Sequence, residues 1–356
     1  MSLLRYTPFK VFHYPDKLVS LPKNVDAMEP PLHVRIKPTN VCAHRCWYCA
    51  YKADDLQLGE EMIEKDEIPE GKMFEILHDL KEMDVKAVTF SGGGDPFYYK
   101  PLLKAVKWLA DNNIQFASLT NGARLKGELA EAFAHHGTWL RISLDGWDDV
   151  SYAKYRGIKE GSFSKLMNNL TSFSKLNGKC QLGISLIVDH DNSKHLYNLV
   201  NRLIETGVKN VKISPCIVSN DGSKNNDYHK EIYGIVRQQI DVLKSEISSD
   251  DFELFDSYHL LEEKFDKEYN WCPYMQILPI IGADQCVYSC QDKAYTTDGR
   301  LGSLKNQSFK TFWDNKKDKF FKIDPSKNCS HHCVANKKNM MIHEYLQADQ
   351  DHMAFV

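Results

Sequence analysis

Six short, apolar, β-branched runs set the tightest limit on what this chain folds into. They are His33–Lys37, Ala87–Phe90, Gln115–Leu119, Trp139–Leu144, Gln181–Val188 and Asn210–Ser214. Between them apolar residues recur at helical spacing, as in Met73, Ile76, Leu77 and Leu80, and again in Leu196, Leu199, Val200, Leu203 and Ile204. Strands that alternate with helices imply a parallel sheet, because parallel neighbours need a crossover rather than a hairpin. Right-handed crossovers are compatible with a sheet curled into an open or closed barrel. In such barrels chemistry sits at the C-terminal ends of the strands. The polar and glycine-rich segments fall there: Pro38-Thr39-Asn40, Ser91-Gly92-Gly93-Gly94-Asp95, Thr120-Asn121-Gly122, Asp145-Gly146 and Ser214-Pro215-Cys216.

Asn192 or Ser193 is the expected cap of the helix that starts near Leu196, and Gly207 its expected end. After about Asn220 the pattern changes. One long helix is expected across Tyr228–Ile247, and the charged stretch Ser248-Ser249-Asp250-Asp251 opens a linker. The expected organisation is an extension over 1–32, a barrel over 33–247, a linker over 248–267 and a small cysteine-rich module over 268–356.

Composition excludes several classes. Hydrophobic residues are 42% and charged residues 26%, so disorder is not the main state. The 45 Lys and Arg against 48 Asp and Glu leave a net charge of −3, whereas a phosphate-backbone binder is usually basic. No nucleic-acid partner is expected. The apolar run Ile277–Ala283 carries Pro279 and Gly282 and is far short of the ~20 residues a membrane span needs. Met1-Ser2-Leu3-Leu4-Arg5-Tyr6 has no apolar signal core, so a cytoplasmic location is expected.

In a reduced compartment, clustered cysteines are metal ligands or catalytic groups rather than disulfides. Ten cysteines are present, and eight of them cluster. Cys42-Ala-His-Arg-Cys46-Trp-Tyr-Cys49 brings three thiolates into one loop after the first strand. Soft thiolates select zinc, copper or iron–sulfur. A structural zinc wants four ligands, so three leave a site open on one side, with His44 an awkward fourth. Cys272, Cys290, Cys329 and Cys333, with Cys286 as an extra, form a second group. Zinc and iron–sulfur both fit that group, since His331 and His332 lie between the last two cysteines. Cys180 and Cys216 stand apart; Cys216 points to the barrel mouth or is an inert buried thiol.

The C-x3-C-x2-C loop with its aromatic Tyr48, placed after the first strand, resembles the radical S-adenosylmethionine (radical SAM) superfamily. Thr89-Phe90-Ser91-Gly92-Gly93-Gly94-Asp95-Pro96 resembles that family's GGEP segment, with Asp for Glu and one extra Gly. The resemblance implies a partial (β/α)6 TIM-like barrel. It implies a 4Fe–4S cluster on Cys42, Cys46 and Cys49, with S-adenosylmethionine on the fourth iron. Tyr48, Gly93, Gly94, Asp95, Ser118, Thr120, Asn121, Ser143 and Arg156 are the implied cofactor contacts. Within that set, Asp95 either orients its loop or accepts from the ligand's ammonium. Arg156 suits a carboxylate. The last quarter resembles the SPASM extension or its shorter form, Twitch. This implies one auxiliary 4Fe–4S cluster on Cys272, Cys290, Cys329 and Cys333, with Cys286 outside the set or substituting within it.

The implied reaction is reductive cleavage of S-adenosylmethionine to a 5′-deoxyadenosyl radical, which takes a hydrogen atom from the substrate. The auxiliary cluster would assist electron transfer. A reductant such as flavodoxin or ferredoxin is implied. The basic run Lys316, Lys317, Lys319 and Lys322 is either a solvated face or a docking patch for it. Residues 1–32 are short for the leader-binding domain of many peptide-modifying relatives, so a small polar, sugar-type substrate is expected. The alternative is a peptide or protein maturase of the thioether, crosslink or formylglycine type.

Overall fold

The computed structural model describes residues 6–21, 28–52, 59–219, 221–247, 251–258, 265, 267–315, 317–331, 333–352 and 354. The strands are β1 (His33–Ile36), β2 (Ala87–Phe90), β3 (Gln115–Thr120), β4 (Trp139–Leu144), β5 (Gln181–Val188), β6 (Asn210–Pro215), β7 (Glu253–Asp256), β8 (Ile280–Ile281), β9 (Cys286–Tyr288) and β10 (Arg300–Ser303). They join one sheet in the order β10-β9-β8-β1-β2-β3-β4-β5-β6-β7. Pairs from β1 to β7 are parallel. The architecture is α/β, a partial barrel.

The helices begin with α1 (Pro15–Val19), α2 (Glu70–Glu82), α3 (Leu102–Asp111), α4 (Gly127–His136), α5 (Asp149–Arg156), α6 (Ser162–Ser174) and α7 (Leu196–Glu205). They continue with α8 (Gly222–Lys230), α9 (Tyr233–Glu246), α10 (Tyr274–Ile277), α11 (Phe309–Asp314), α12 (Pro325–Asn328) and α13 (Asn336–Gln347). Met73, Ile76, Leu77 and Leu80 of α2 are fully buried, each worth roughly 1.5–3 kcal/mol of transfer free energy. No helix among the described residues is long and apolar enough to cross a membrane.

Side-chain alternation decides what reaches the site. Phe116 of β3 packs edge-on against Phe133 of α4, so its side of the strand faces the helices until Thr120, at the C-terminal end, reaches the cavity. The opposite face, with Arg35, Leu119, Ser143 and Ile187, borders the central cavity.

The expected long helix is two helices. Glu231 and Ile232 separate α8 from α9 because His229, at the end of α8, is pinned by the Cys216 carbonyl and the Tyr258 hydroxyl. α9 instead turns its Val236, Ile240 and Leu243 into the core. The expected linker over 248–267 contains a strand: β7 pairs parallel with β6. Ser248, Ser249 and Asp250 lie outside the described residues. Asn192 and Ser193 do not cap α7, which starts after His195 without a side-chain cap. Asn192 is engaged elsewhere, accepting from Asp189 N and donating to the carbonyls of Asp145 and Ile187. Gly207, at φ +84°, follows the end of α7 as its position suggests.

The cysteine-rich segment is not appended at a distance. β8 pairs parallel with β1, and β9 and β10 extend the sheet antiparallel. Val11, Leu18 and Leu21 of the N-terminal segment pack with Ile277 and Ile342 of that module. Lys319 is no solvated lysine, since its ammonium donates to the carbonyls of Phe312 and Asn315 and lies 4.0 Å over the Phe312 ring. Lys316 lies outside the described residues.

Candidate active site

The chain leaves β1 at Lys37 and runs directly into the first cysteine loop. That loop is held from three sides. Cys49 N donates to Cys46 O at 3.1 Å, closing the turn inside the motif. Arg45 N donates to the carbonyl of Arg156 at 2.8 Å. Gly157, at φ +58°, ends α5 with its α-carbon facing Arg45.

The glycine segment after β2 lies flat on the same loop. Gly94 N donates to Thr39 O at 3.2 Å and Asp95 N to Val41 O at 2.9 Å. A β-carbon on Gly94 would stand 2.3 Å from the Asn40 carbonyl carbon and from the Val41 oxygen, both main chain. Only glycine permits that approach. The Gly94→Ala variant is expected to weaken S-adenosylmethionine binding at least about tenfold, or about 1.4 kcal/mol. Anaerobic calorimetry on iron-loaded protein measures it; an unchanged affinity would contradict the packing argument.

Asp95 is buried and spends its carboxylate on the strand ends. It accepts from Phe97 N at 2.9 Å, from Thr120 Oγ1 at 2.9 Å and from Asn121 N at 2.6 Å. Burial pushes its carboxyl up, and these donors oppose the shift. Of the two roles expected for Asp95, the geometry favours orienting the loop. Asn121 Nδ2 lies 3.8 Å from Cys42 Sγ, a weak donor contact to the cysteine loop.

A second anchor is the buried pair Asp145–Arg156. Arg156 Nε reaches the two Asp145 oxygens at 3.0 and 2.9 Å, and Nη1 lies 3.5 Å from Cys46 Sγ. The Tyr48 hydroxyl also donates to Asp145. Burial works against the Arg156 charge, but Asp145, Tyr48 and Cys46 outweigh it and hold the guanidinium well above its usual range. Burial likewise pushes the Cys42 thiol up to about 11, with the His44 N–H opposing. Protonated thiols of this kind become ligands by giving their protons to the metal equilibrium.

These groups border one cavity of about 770 Å³. Its walls hold Cys42, Cys46, Cys49, Tyr48, Gly93, Gly94, Asp95, Thr120, Asn121, Ser143 and Arg156. Ser118 is not among them. It shares the helix-facing side of β3 with Phe116, and its hydroxyl donates to the carbonyls of Phe90 and Leu119. The expectation that Ser118 contacts the cofactor is therefore corrected by depth: Ser118 is fully buried one step before Thr120, which reaches the cavity at the strand's C-terminal end. Cys216, directly after β6, is fully buried and does not border the cavity.

The model of the radical SAM superfamily matches residues 36–203. The chain therefore carries a radical SAM domain over residues 36–203. A probable GTP 3′,8-cyclase of Sulfurisphaera tokodaii is 23% identical over 203 residues, 57% of this chain. The chain spans only 61% of the length of that cyclase. Streptococcus suis SuiB, in a crystal structure with precursor peptide SuiA, superposes with a TM-score of 0.63 at 15% identity, covering 88% of this chain and 71% of SuiB. The protein anSMEcpe, in a structure with bound AdoMet, gives a TM-score of 0.59 at 16% identity, covering 83% of each chain. At these identities the structures share the fold.

The radical SAM family implies a 4Fe–4S cluster with S-adenosylmethionine, and the residues present fit both. A single tetrahedral zinc, with Zn–S of ~2.3 Å, would draw its sulfurs to about 3.8 Å of one another. Cys42, Cys46 and Cys49 are not so close a group, and the cavity they border has room for a larger, polynuclear one. Arg156 Nη2, Ser91 Oγ and His44 Nδ1 are buried polar atoms without a hydrogen-bond partner, and all three residues border the cavity. Groups so placed are suited to a polar ligand.

Cys272, Cys290, Cys329 and Cys333 border a second cavity of about 40 Å³, more room than one water or ion requires. No three of their sulfurs lie within 4.8 Å of one another. Asp292, His331 and Cys333 are the one such close trio among the described residues. His332 lies outside the described residues. Cys286 does not border this cavity and packs with Ile280, Tyr288, Ala294 and Tyr295. Asn339 Nδ2 donates to Cys272 Sγ at 3.2 Å. Asp292, Lys293, Asn328, Ser330 and His331 of this module also form a wall of the large cavity.

Three residues at the site escaped the sequence reading. Arg35, Lys37 and Gln291 meet between the two cysteine groups. The available signal was the pair of cations, Arg35 and Lys37, alternating with Val34 and Ile36.

Proposed function

We propose that this chain reductively cleaves S-adenosylmethionine and uses the product to take a hydrogen atom from a small polar substrate. The observation that carries this reading is one large cavity with the first cysteine triad in one wall and the second cysteine module in another. When bound, the cluster and S-adenosylmethionine supply the one-electron cleavage and the hydrogen-atom acceptor. Cys42, Cys46 and Cys49 are the proposed ligands of that cluster. The glycine segment and Asn121 shape its edge, and Arg156 Nη2 is placed to take a carboxylate. The second module, proposed as residues 268–356, holds an auxiliary 4Fe–4S cluster on Cys272, Cys290, Cys329 and Cys333. It also covers the cavity, which excludes water and stray hydrogen donors.

Polar side chains dominate the module's wall of the cavity: Asp292, Lys293, Thr296, Thr297, Asp298, Asn328, Ser330 and His331. They support a small, hydroxyl- or amine-bearing substrate such as a sugar derivative. A peptide substrate is the second reading, supported by the fold shared with SuiB, whose structure holds a precursor peptide. A cytoplasmic setting with a flavodoxin or ferredoxin as reductant completes the proposal. The test is 5′-deoxyadenosine release by reconstituted, reduced protein against amino sugars, sugar derivatives and cysteine-bearing peptides. Release stimulated by the small compounds is expected. Stimulation by peptides alone would sink the small-substrate reading, and no release under any condition would sink the whole proposal.

A further inference from the structure

Lys37 is completely buried, one residue past β1, and its ammonium joins three elements. It donates to Tyr51 Oη at 2.7 Å, just beyond the first cysteine loop. It donates to Gly92 O at 3.1 Å in the glycine segment. It donates to Gln291 Oε1 at 2.9 Å, on the residue that follows Cys290. Arg35 Nη1 reaches the same Gln291 oxygen at 3.1 Å, and Arg35 Nε is buried without a partner. Gln291 Nε2 in turn donates to Tyr51.

Two cations thus share one neutral amide oxygen, and every hydrogen-bond partner named for them is neutral. Buried cations normally have an anionic partner, because desolvation costs several kcal/mol per ion. Two like charges on one acceptor add repulsion. Burial pushes the Lys37 ammonium well below the usual lysine range, Arg35 adds to this, and Asp292, Cys49 and Cys290 oppose it. The two thiols named there belong to different cysteine groups. Anionic thiolate clusters on either side would provide the counter-charge that the hydrogen-bond partners do not.

We propose that Lys37, seconded by Arg35, is a shared counter-cation between the two cluster sites and raises the reduction potential of both. This rests on the two-cluster reading above. A cation near a cluster favours the reduced, more negative state. Hydrogen bonding and local charge are established controls of cluster potential. Because Lys37 sits between the groups, one substitution moves both couples in the same direction. Lys37 is a positioning residue here; it touches neither cysteine group directly.

The experiment is a redox titration followed by electron paramagnetic resonance, on the full chain carrying its clusters. Wild type, Lys37→Met, Lys37→Arg and Gln291→Glu are compared. Gln291→Glu keeps the side-chain shape and places a carboxylate on both cations, so it reads the same effect if Lys37→Met does not load. Lys37→Met and Gln291→Glu are each expected to lower the reduction equilibrium of both clusters at least tenfold, about 59 mV for a one-electron couple. Lys37→Arg is expected to leave both midpoints near wild type. Midpoints that do not move, or a shift in only one cluster, overturn the proposal while the two-cluster reading stands. A wild type that holds fewer than two clusters overturns that reading first, and this is seen before any variant is compared.

Discussion

The Cys42/Cys46/Cys49→Ala variant is expected to keep its fold, to lose about four of roughly eight irons and to lose all cleavage of S-adenosylmethionine. The three side chains are only partly buried and point into the large cavity, so their removal leaves no hole in the core. The loop keeps its main-chain ties through Arg45 to Arg156 and through Val41 to Asp95. The remaining irons should belong to the group of Cys272, Cys290, Cys329 and Cys333, which lies in a separate cavity. Iron and sulfide content, with electron paramagnetic resonance in the presence and absence of S-adenosylmethionine, measures this. Wild type with only four irons, all lost in the variant, would remove the auxiliary cluster. Wild type with stoichiometric zinc and no iron would remove both.

Asp145→Asn is expected to destabilise the protein by about 3–5 kcal/mol, because it leaves the Arg156 guanidinium buried without its counter-charge. Both residues are nearly inaccessible, and three donors converge on the Asp145 carboxylate: Arg156 Nε, Tyr48 Oη and Gly146 N. The effect should not stop at stability. Arg156 presents its carbonyl to Arg45 and one guanidinium nitrogen to Cys46, so loosening it moves the cysteine loop. Weaker cluster retention should accompany the lower midpoint of chemical denaturation. Wild-type midpoint and iron content together in Asp145→Asn would show that the pair does not anchor the loop.

The residues proposed to carry the chemistry stand out in the sequence because their signal is local. A C-x3-C-x2-C loop and a glycine run at the next strand end are each short, and each follows an apolar β-branched run. β2, β4 and β5 begin and end where hydrophobic patterning places them. Local pattern failed where a distant partner decides. Ser118 reads like Thr120, a hydroxyl at a strand end, but it lies deeper on the helix-facing side and its hydroxyl is spent on main-chain carbonyls. Asn192 has the composition of a cap, but its amide is held by the carbonyls of Asp145 and Ile187. His229 interrupts a helix through bonds to Cys216 and Tyr258, which no periodicity announces.

Arg156 shows the boundary most clearly. The sequence marks an arginine soon after Ser143-Leu144-Asp145-Gly146, and its charge suggests a carboxylate partner. Only the folded chain shows that Asp145 is one such partner, that Cys46 lies beside it and that Nη2 remains for a ligand.

By itself, then, the sequence determined the α/β alternation, the ends of the strands where chemistry gathers, and two groups of cysteines of different composition. Those follow from short-range chemistry: β-branched strands, helical spacing and thiolates within one loop. The tertiary structure alone decided that the second cysteine group joins the edge of the same sheet through β8, that Cys286 stands outside it, and that Arg35, Lys37 and Gln291 meet between the groups. Gln291 and Lys37 are 254 positions apart, and their contact exists only because β8 pairs with β1. Contacts of that range depend on sheet order and on which face each strand buries, and neither is written in any short stretch of residues.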